Sequence, residues 1–127
     1  MPNGVIKTAF YTGMIKTGFR PSDSPNELPY NIPGNAMISS YLGLVANDVL
    51  SKVPSNSVFK SWSDKLSVRM LEHSVRIRDS IFKYGIIRKS GIDIFAYEVD
   101  GIGNYRLYDD SNLPCLLSLA YLKFIGE

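Results

Sequence analysis

Apolar and polar residues between positions 63 and 84 alternate with the period of an α-helix. Charged side chains recur every three or four positions and form one face: Lys65, Arg69, Glu72, Arg76, Asp79 and Lys83. Apolar side chains form the opposite face: Leu66, Met70, Ile77 and Ile81. The pattern predicts a helix over residues 63–84, with Gly85 as the C′ residue that ends it.

Two further helices are predicted on either side of this one. Residues 35–53 carry an apolar stripe, Asn35 is the candidate N-cap, and Pro54 ends the segment. A third helix is expected to begin near Leu113, with Pro114 in its first turn, where a missing N–H costs nothing. The strongly apolar stretch that follows is expected to pack against a partner.

Two long segments lack helical periodicity. Residues 13–33 contain four prolines, each four residues after the last (Pro21, Pro25, Pro29 and Pro33), which favours an extended, ordered loop. Residues 86–112 form a second irregular stretch with a short β-hairpin, whose strands are residues 95–99 and 105–108. The fold class is therefore mainly α, with about three or four helices, long irregular loops and a short hairpin. Loops longer than about 12–15 residues are usually functional.

Composition narrows the classes of function. The 127 residues suit one domain, and they are 45% hydrophobic with a net charge of +2, which predicts neither a nucleic-acid nor a membrane partner. No apolar run approaches the roughly 18 residues of a membrane span, and residues 1–4 lack the features of a signal peptide. A single cysteine (Cys115) and a single histidine (His73) predict neither an internal disulfide nor a histidine-based metal site.

Both long loops carry carboxylates next to aromatic and amide side chains. Asp23 follows Arg20 in the first loop, and the second loop contains Glu98, Asp100, Asp109, Asp110 and Asn112. Carboxylates and amides pair with sugar hydroxyls, and paired carboxylates supply the acid and base of glycoside hydrolysis. The alternative is structural: Asp109, Asp110 and Asn112 precede the third predicted helix and would only cap its N-terminus.

Nucleotide, nucleophile and calcium sites are not supported. Gly101 and Gly103 form a lone Gly-x-Gly without a third glycine, and no serine lies in a Gly-x-Ser-x-Gly elbow. Cys115 lies in an apolar segment, which favours a small core residue over a nucleophile. The acidic loop lacks the spacing of a calcium loop.

Four ordered motifs give the sequence a family resemblance. Three of them are GFRPSD (residues 18–23), IPGNAM (32–37) and AYEVDG (96–101). The fourth is DDSNLP (109–114), which continues into LLSLAYL (116–122). Together they resemble the signature blocks of glycoside hydrolase family 125, the exo-α-1,6-mannosidases. The resemblance covers residues 13–122, and it departs at Ser24, where the family usually has a second aspartate.

The resemblance implies an (α/α)6 barrel and metal-independent, inverting removal of terminal α-1,6-linked mannose, with no cofactor. It assigns the general acid to Asp23. The other matched polar residues would line the sugar subsite or brace the acid: Arg20, Asn35, Glu98, Asp100, Asp109, Asp110 and Asn112. The family's general base is a glutamate in a later block, and Glu127 lacks the surroundings of that block.

Length limits what this chain does alone. Twelve barrel helices of about twelve residues, joined by loops of about five, need on the order of 200 residues. Residues 1–127 are therefore expected to form a single partial catalytic domain, whose partners are the rest of its barrel and a mannose-containing glycan. Such a chain carries the acid without the base and is expected to be inactive by itself. The alternative is a non-catalytic module that binds a sugar or a protein through residues 86–112.

Overall fold

The computed structural model describes residues 9–126, so the expectations for residues 1–4 and for Glu127 lie outside the described residues. Strand β1 (Tyr30–Asn31) leads directly into helix α1 (Ile32–Leu44). The helical path continues through a π-helical turn (Val45–Val49) and a 3-10 turn (Leu50–Lys52). Helix α2 (Lys60–Tyr84) follows, and then strands β2 (Ile86–Lys89), β3 (Ile92–Phe95), β4 (Glu98–Val99) and β5 (Tyr105–Arg106). A 3-10 turn (Leu116–Ser118) is the last described element.

Helices α1 and α2 pack closely because small residues lie between them. Ser39 Oγ donates to the Ser74 carbonyl at 2.7 Å, and Ser74 Oγ donates to the Ser39 carbonyl at the same distance. A Cβ atom at Gly43 would lie 3.4 Å from Ser74 Oγ, which is van der Waals contact, so the two helices are close at this point as well. Reciprocal hydrogen bonds from each serine hydroxyl to the carbonyl of the other serine therefore set the spacing of the pair.

The two central helix predictions are confirmed in position, with corrections at their ends. Helix α1 begins at Ile32, and its N-cap is Asn31, whose side chain accepts a hydrogen bond from Gly34 N; the predicted cap Asn35 is instead a buried residue inside the helix. Helix α2 begins at Lys60, three residues before the predicted start. Gly85 ends α2 as predicted, but it is the C-cap residue, with a right-handed φ of −93°, rather than the C′ residue.

The predicted hairpin is confirmed but is shorter than expected. Strand β4 pairs with β5, and β1 adds to the other edge of β4 to give a three-stranded antiparallel sheet. Phe95 belongs to a second hairpin formed by β2 and β3, which the sequence analysis treated as irregular. This hairpin turns at Ser90 and Gly91, both of which have positive φ angles.

The prediction of a third helix near Leu113 is wrong. The segment forms only the 3-10 turn at Leu116–Ser118 and then reverses at Lys123, whose φ is 55°. Leu119, Leu122 and Phe124 are buried against the helices, at spacings of three and two residues that one helix face cannot satisfy. Burial of these side chains in the core therefore outweighs the helix propensity of the segment.

The core lies between the two helices, the three-stranded sheet and the folded-back C-terminal segment. Its buried residues are Met14, Tyr30, Ile32, Ala36, Ile77, Ile81, Ala96, Val99, Leu119 and Phe124. Residues contributed by segments far apart in the sequence thus meet in one cluster. Within residues 9–126, no helix is long and apolar enough to cross a membrane.

Candidate functional site

Asp23 lies in a tight turn built by residues 18–26. Phe19 and Pro25 form an antiparallel bridge, Arg20 N donates to the Ser24 carbonyl at 2.8 Å, and Asp23 N donates to the Arg20 carbonyl at 3.0 Å. Proline at the second turn position, Pro21, suits this geometry, and Asp23 adopts a φ of 61°, a conformation that aspartate tolerates. The turn presents an exposed Asp23 side chain on a well-defined backbone.

Arg20 anchors this turn to the sheet through Glu98. Arg20 Nε donates to Glu98 Oε1 at 2.9 Å, and the Glu98 side chain is completely buried. Glu98 Oε2 accepts hydrogen bonds from the backbone N–H groups of Glu27 and Leu28 at 2.9 and 3.0 Å. Burial disfavours the charge on Arg20, but the hydrogen bond and the charge of Glu98 outweigh it, so the pKa of Arg20 is raised. A buried charge pair of this kind is stable only when such hydrogen bonds satisfy it.

A second layer of polar groups covers this pair at the surface. Glu27 Oε2 accepts from Arg106 Nε at 2.5 Å, and Glu27 Oε1 lies 3.6 Å from Arg20 Nη2. The hydrogen bond from Arg106 holds the pKa of Glu27 below its usual value. Tyr108 accepts a hydrogen bond from Arg20 Nη2, and burial together with the charge of Glu98 raises the pKa of Tyr108. Two arginines, two glutamates and one tyrosine therefore form a single charge-balanced network.

The segment after β5 contacts the Asp23 turn through Asp110. Ser22 Oγ donates to Asp110 Oδ2 at 2.5 Å, and Asn112 donates to Asp110 Oδ1 through both its backbone and its side chain. The hydrogen bond from Ser22 is the largest cause of the lowered pKa of Asp110. Asp109 caps the 3-10 turn, because its carboxylate accepts from the N–H groups of Leu116 and Leu117 at 2.8 and 3.4 Å. Asp109 therefore has the capping role that was the structural alternative, whereas Asp110 contacts the Asp23 turn through Ser22.

Asn35 and Asp100 lie in supporting positions. Asn35 Oδ1 accepts from Ile15 N at 2.7 Å, and its Nδ2 donates to the carbonyls of Ile15 and Asn31, so it joins the first loop to α1. Asp100 accepts from the backbone of Ile102 and Asn104 and from Asn104 Nδ2. Burial opposes ionisation of Asp100, but these hydrogen bonds outweigh it and lower its pKa. Both side chains hold loops in place, and any role in sugar binding stays a prediction.

The structure brings together part of the predicted set and adds residues that sequence reasoning missed. Arg20, Glu98 and Asp110 meet around the Asp23 turn, whereas Asn35 and Asp100 bond to neighbouring loops. Three additional residues complete the network: Glu27, Arg106 and Tyr108. Residues 106 and 108 share one side of an extended segment, so the two-residue period of the predicted strand could have identified them. Glu27 has no such signal within its proline-rich loop.

The surface around Asp23 is open. Two surface grooves lie along the helices: one is lined by Leu71, Arg76 and Lys83, among others, and the second by Ser39 and Arg78, among others. Neither includes Arg20 or Asp23. Within residues 9–126, no cluster of three or more histidine, cysteine, aspartate or glutamate side chains is placed to hold a metal ion.

Comparisons with known proteins agree with one another. The family model for metal-independent α-mannosidase (GH125) matches residues 2–127. The meiotically up-regulated gene 157 protein of Schizosaccharomyces pombe (strain 972 / ATCC 24843) is 33% identical over 115 residues. A Streptococcus pneumoniae structure, described as a metal-independent α-mannosidase in a non-productive substrate complex with α-1,6-mannobiose, superposes with a TM-score of 0.77 at 32% identity.

The matched regions cover this chain far more fully than they cover its relatives. The match to the yeast protein covers 88% of this chain and 20% of that protein. The match to the streptococcal structure covers 93% of this chain and 26% of that chain. The described fold thus corresponds to a fifth to a quarter of the polypeptides it resembles.

Proposed function

The chain belongs to glycoside hydrolase family 125, the metal-independent α-mannosidases, and from that membership we propose that it is part of a glycosidase acting on mannose-containing glycans. The substrate class comes from the streptococcal neighbour, which was solved with α-1,6-mannobiose. We propose terminal α-1,6-linked mannose as the group removed, with inversion at the anomeric carbon. The observation that carries the proposal is the braced turn, which exposes the Asp23 side chain and contacts Asp110 through Ser22.

In this reaction Asp23 is the general acid. Its carboxyl group would protonate the glycosidic oxygen as the bond to the anomeric carbon breaks, while water attacks the opposite face of the sugar. Asp110 suits a different role, because its lowered pKa keeps it ionised and able to accept hydrogen bonds from sugar hydroxyls. The hydrogen bond between Arg20 and Glu98 holds the Asp23 turn on the sheet, and the hydrogen bond from Asn112 orients Asp110.

The general base and the remaining walls of the site would come from further polypeptide. The exposure of Asp23 and of its neighbours Ser22 and Ser24 supports this, because further walls would exclude water and strengthen the polar interactions with a bound sugar. Large apolar side chains elsewhere are also uncovered: Val58, Phe59, Trp62 and Leu117 are 61–90% exposed. We propose that residues 1–127 are one partial catalytic domain, and that the other helices of an (α/α)6 barrel cover these side chains.

Mannose release from α-1,6-mannobiose by the full-length gene product tests the proposal. We expect the full-length product to release mannose with inversion, and NMR would identify the anomer that forms first. We expect no release by the 127-residue chain alone. Asp23→Asn should reduce the rate on mannobiose by about 10²–10⁴-fold, the usual contribution of a general acid. The loss should be much smaller on an aryl mannoside whose leaving group needs no proton.

The matched control is Asp79→Asn, which changes an exposed carboxylate on α2. It should retain the wild-type rate on both substrates. Near-normal hydrolysis of mannobiose by Asp23→Asn would exclude Asp23 as the acid. Binding of mannobiose without release by the full-length product would favour the alternative, a non-catalytic sugar-binding module.

A further inference from the structure

Two side-chain contacts join the Asp23 turn to the segment after β5. The two contacting residues are two positions apart on the turn and also two positions apart on the segment. Arg20 Nη2 donates to the Tyr108 hydroxyl, and Ser22 Oγ donates to Asp110 Oδ2. Residues 20 and 22 on the turn therefore contact residues 108 and 110 on the second segment. Two contacts, each displaced by two residues, restrict rotation of the turn as well as its position.

Tyr108 makes the buried one of these two contacts. Its hydroxyl lies 3.3 Å from Glu98 Oε2 and 3.3 Å from Glu27 Oε1, while it accepts from Arg20. A phenol has one proton to donate, so it bonds to one of these carboxylates at a time. The Tyr108 ring centre lies 4.7 Å from the Arg20 guanidinium carbon and 5.3 Å from the Tyr97 ring centre. Ring and hydroxyl thus hold Arg20 in different ways, which makes their contributions separable.

We propose that Tyr108 is a positioning residue for Asp23, an inference that rests on the proposed function. The hydroxyl of Tyr108 fixes the guanidinium of Arg20, whose backbone carbonyl accepts from Asp23 N. Loss of the hydroxyl leaves Arg20 held by Glu98, by the longer 3.6 Å ion pair with Glu27 and by the tyrosine ring, so we expect the turn to gain freedom while the core is unchanged. Displacement of a reacting group by about 1 Å costs roughly 100-fold in rate.

Tyr108→Phe tests the proposal because it removes the hydroxyl and keeps the ring. In the full-length gene product, we expect kcat for mannobiose to fall about tenfold or more while KM changes less than about twofold. The matched control is Tyr105→Phe, which removes a hydroxyl three residues earlier, in β5, where the side chain is 39% exposed. The control should retain both constants.

A second measurement is independent of hydrolysis. Amide hydrogen exchange of the full-length gene product, read by mass spectrometry on the peptide that contains Asp23, should be about tenfold faster in Tyr108→Phe than in the wild type or in Tyr105→Phe. Exchange within α2 should be unchanged. If the wild-type protein releases no mannose, the proposed function fails, and a selective increase at Asp23 still supports the positioning role.

Three results would overturn the inference. One is unchanged exchange at Asp23 in Tyr108→Phe. Another is a change in KM alone. The third is faster exchange throughout the chain or failure of Tyr108→Phe to fold, because the hydroxyl would then support the whole structure rather than the turn.

Discussion

Arg20 Nε donates to Glu98 Oε1 at 2.9 Å, across 78 residues of sequence, and the Glu98 side chain is completely buried. Within residues 9–126, the hydrogen bonds to this carboxylate come from donors on the first loop and from Tyr108. An ionised carboxylate that leaves water needs such donors, since unpaired burial costs several kcal/mol. Glu98 is therefore the internal anchor of the loop that carries Asp23.

Glu98→Gln should destabilise the chain by about 3–5 kcal/mol, because one acceptor oxygen becomes an NH₂ group that faces other donors. Either amide orientation leaves Arg20 Nε or the N–H groups of Glu27 and Leu28 unpaired. Urea unfolding followed by circular dichroism measures the loss. Glu72→Gln, a change on the exposed face of α2, is the control and should stay within about 0.5 kcal/mol of the wild type. Equal stabilities for the two variants would contradict the anchoring role.

Gly85→Ala should also destabilise the chain, by about 1–3 kcal/mol, through overpacking at the end of α2. A Cβ atom there would lie 2.7 Å from the Ile81 carbonyl oxygen and 2.9 Å from Ile32 Cδ1. Gly18→Ala is the matched control, since no heavy atom lies within 4 Å of the added Cβ. The control should be neutral or stabilise by up to about 1 kcal/mol. The midpoints of thermal unfolding of the two variants test this prediction. Equal midpoints would show that Gly85 tolerates a side chain.

The contrast between α2 and the C-terminal segment shows what local pattern predicts in this chain. Ile77 and Ile81 lie four residues apart and are both buried, so the period of α2 was readable from the sequence. Leu119, Leu122 and Phe124 are also buried, but their spacing matches neither the period of a helix nor that of a strand. The third helix was predicted from apolar content and a proline, neither of which says where the chain reverses.

The site shows the same division. The residues that the family resemblance assigned lie on different elements: Asn35 is inside α1, Glu98 is in β4, and Asp23, Asp109 and Asp110 are in irregular segments. Their roles depend on partners far away: Glu98 is saturated by donors of the first loop, and Asp109 by a turn seven residues later. Glu27 was missed because its importance comes from the arginines it contacts, which only the folded chain brings near.

Asp100 should make the hairpin between β4 and β5 sensitive to acid. Hydrogen bonds from Asn104 and the backbone outweigh burial and hold the pKa of Asp100 below its ordinary value of 3.8. A carboxylate with a lowered folded-state pKa stabilises the fold fully above its unfolded value, and the contribution is lost as pH falls through the folded value. The wild type should therefore lose stability below about pH 4 more steeply than Asp100→Asn. Midpoints of thermal unfolding measured from pH 6 to pH 2.5 test this, and parallel curves would contradict it.

Arg78 should hold the C-terminal segment on α2. Its Nη1 donates to the Phe124 carbonyl at 2.7 Å, and its guanidinium carbon lies 4.7 Å from the Phe124 ring centre and 5.2 Å from that of Phe82. The two rings stack with centres 5.6 Å apart, so the planar guanidinium covers a pair of aromatic side chains.

Arg78→Lys keeps the charge and removes the planar group, and it should cost about 1 kcal/mol, the range of a cation–π contact with a partly exposed partner. Arg69→Lys, at an exposed position of the same helix, is the control and should cost less than about 0.5 kcal/mol. Hydrogen exchange locates the effect, because Phe124 N donates to the Leu119 carbonyl at 2.9 Å. Faster exchange at Phe124 N in Arg78→Lys, with α2 unchanged, is the expected result. Unchanged exchange there would mean that burial of Leu119 and Phe124 holds the segment without the arginine.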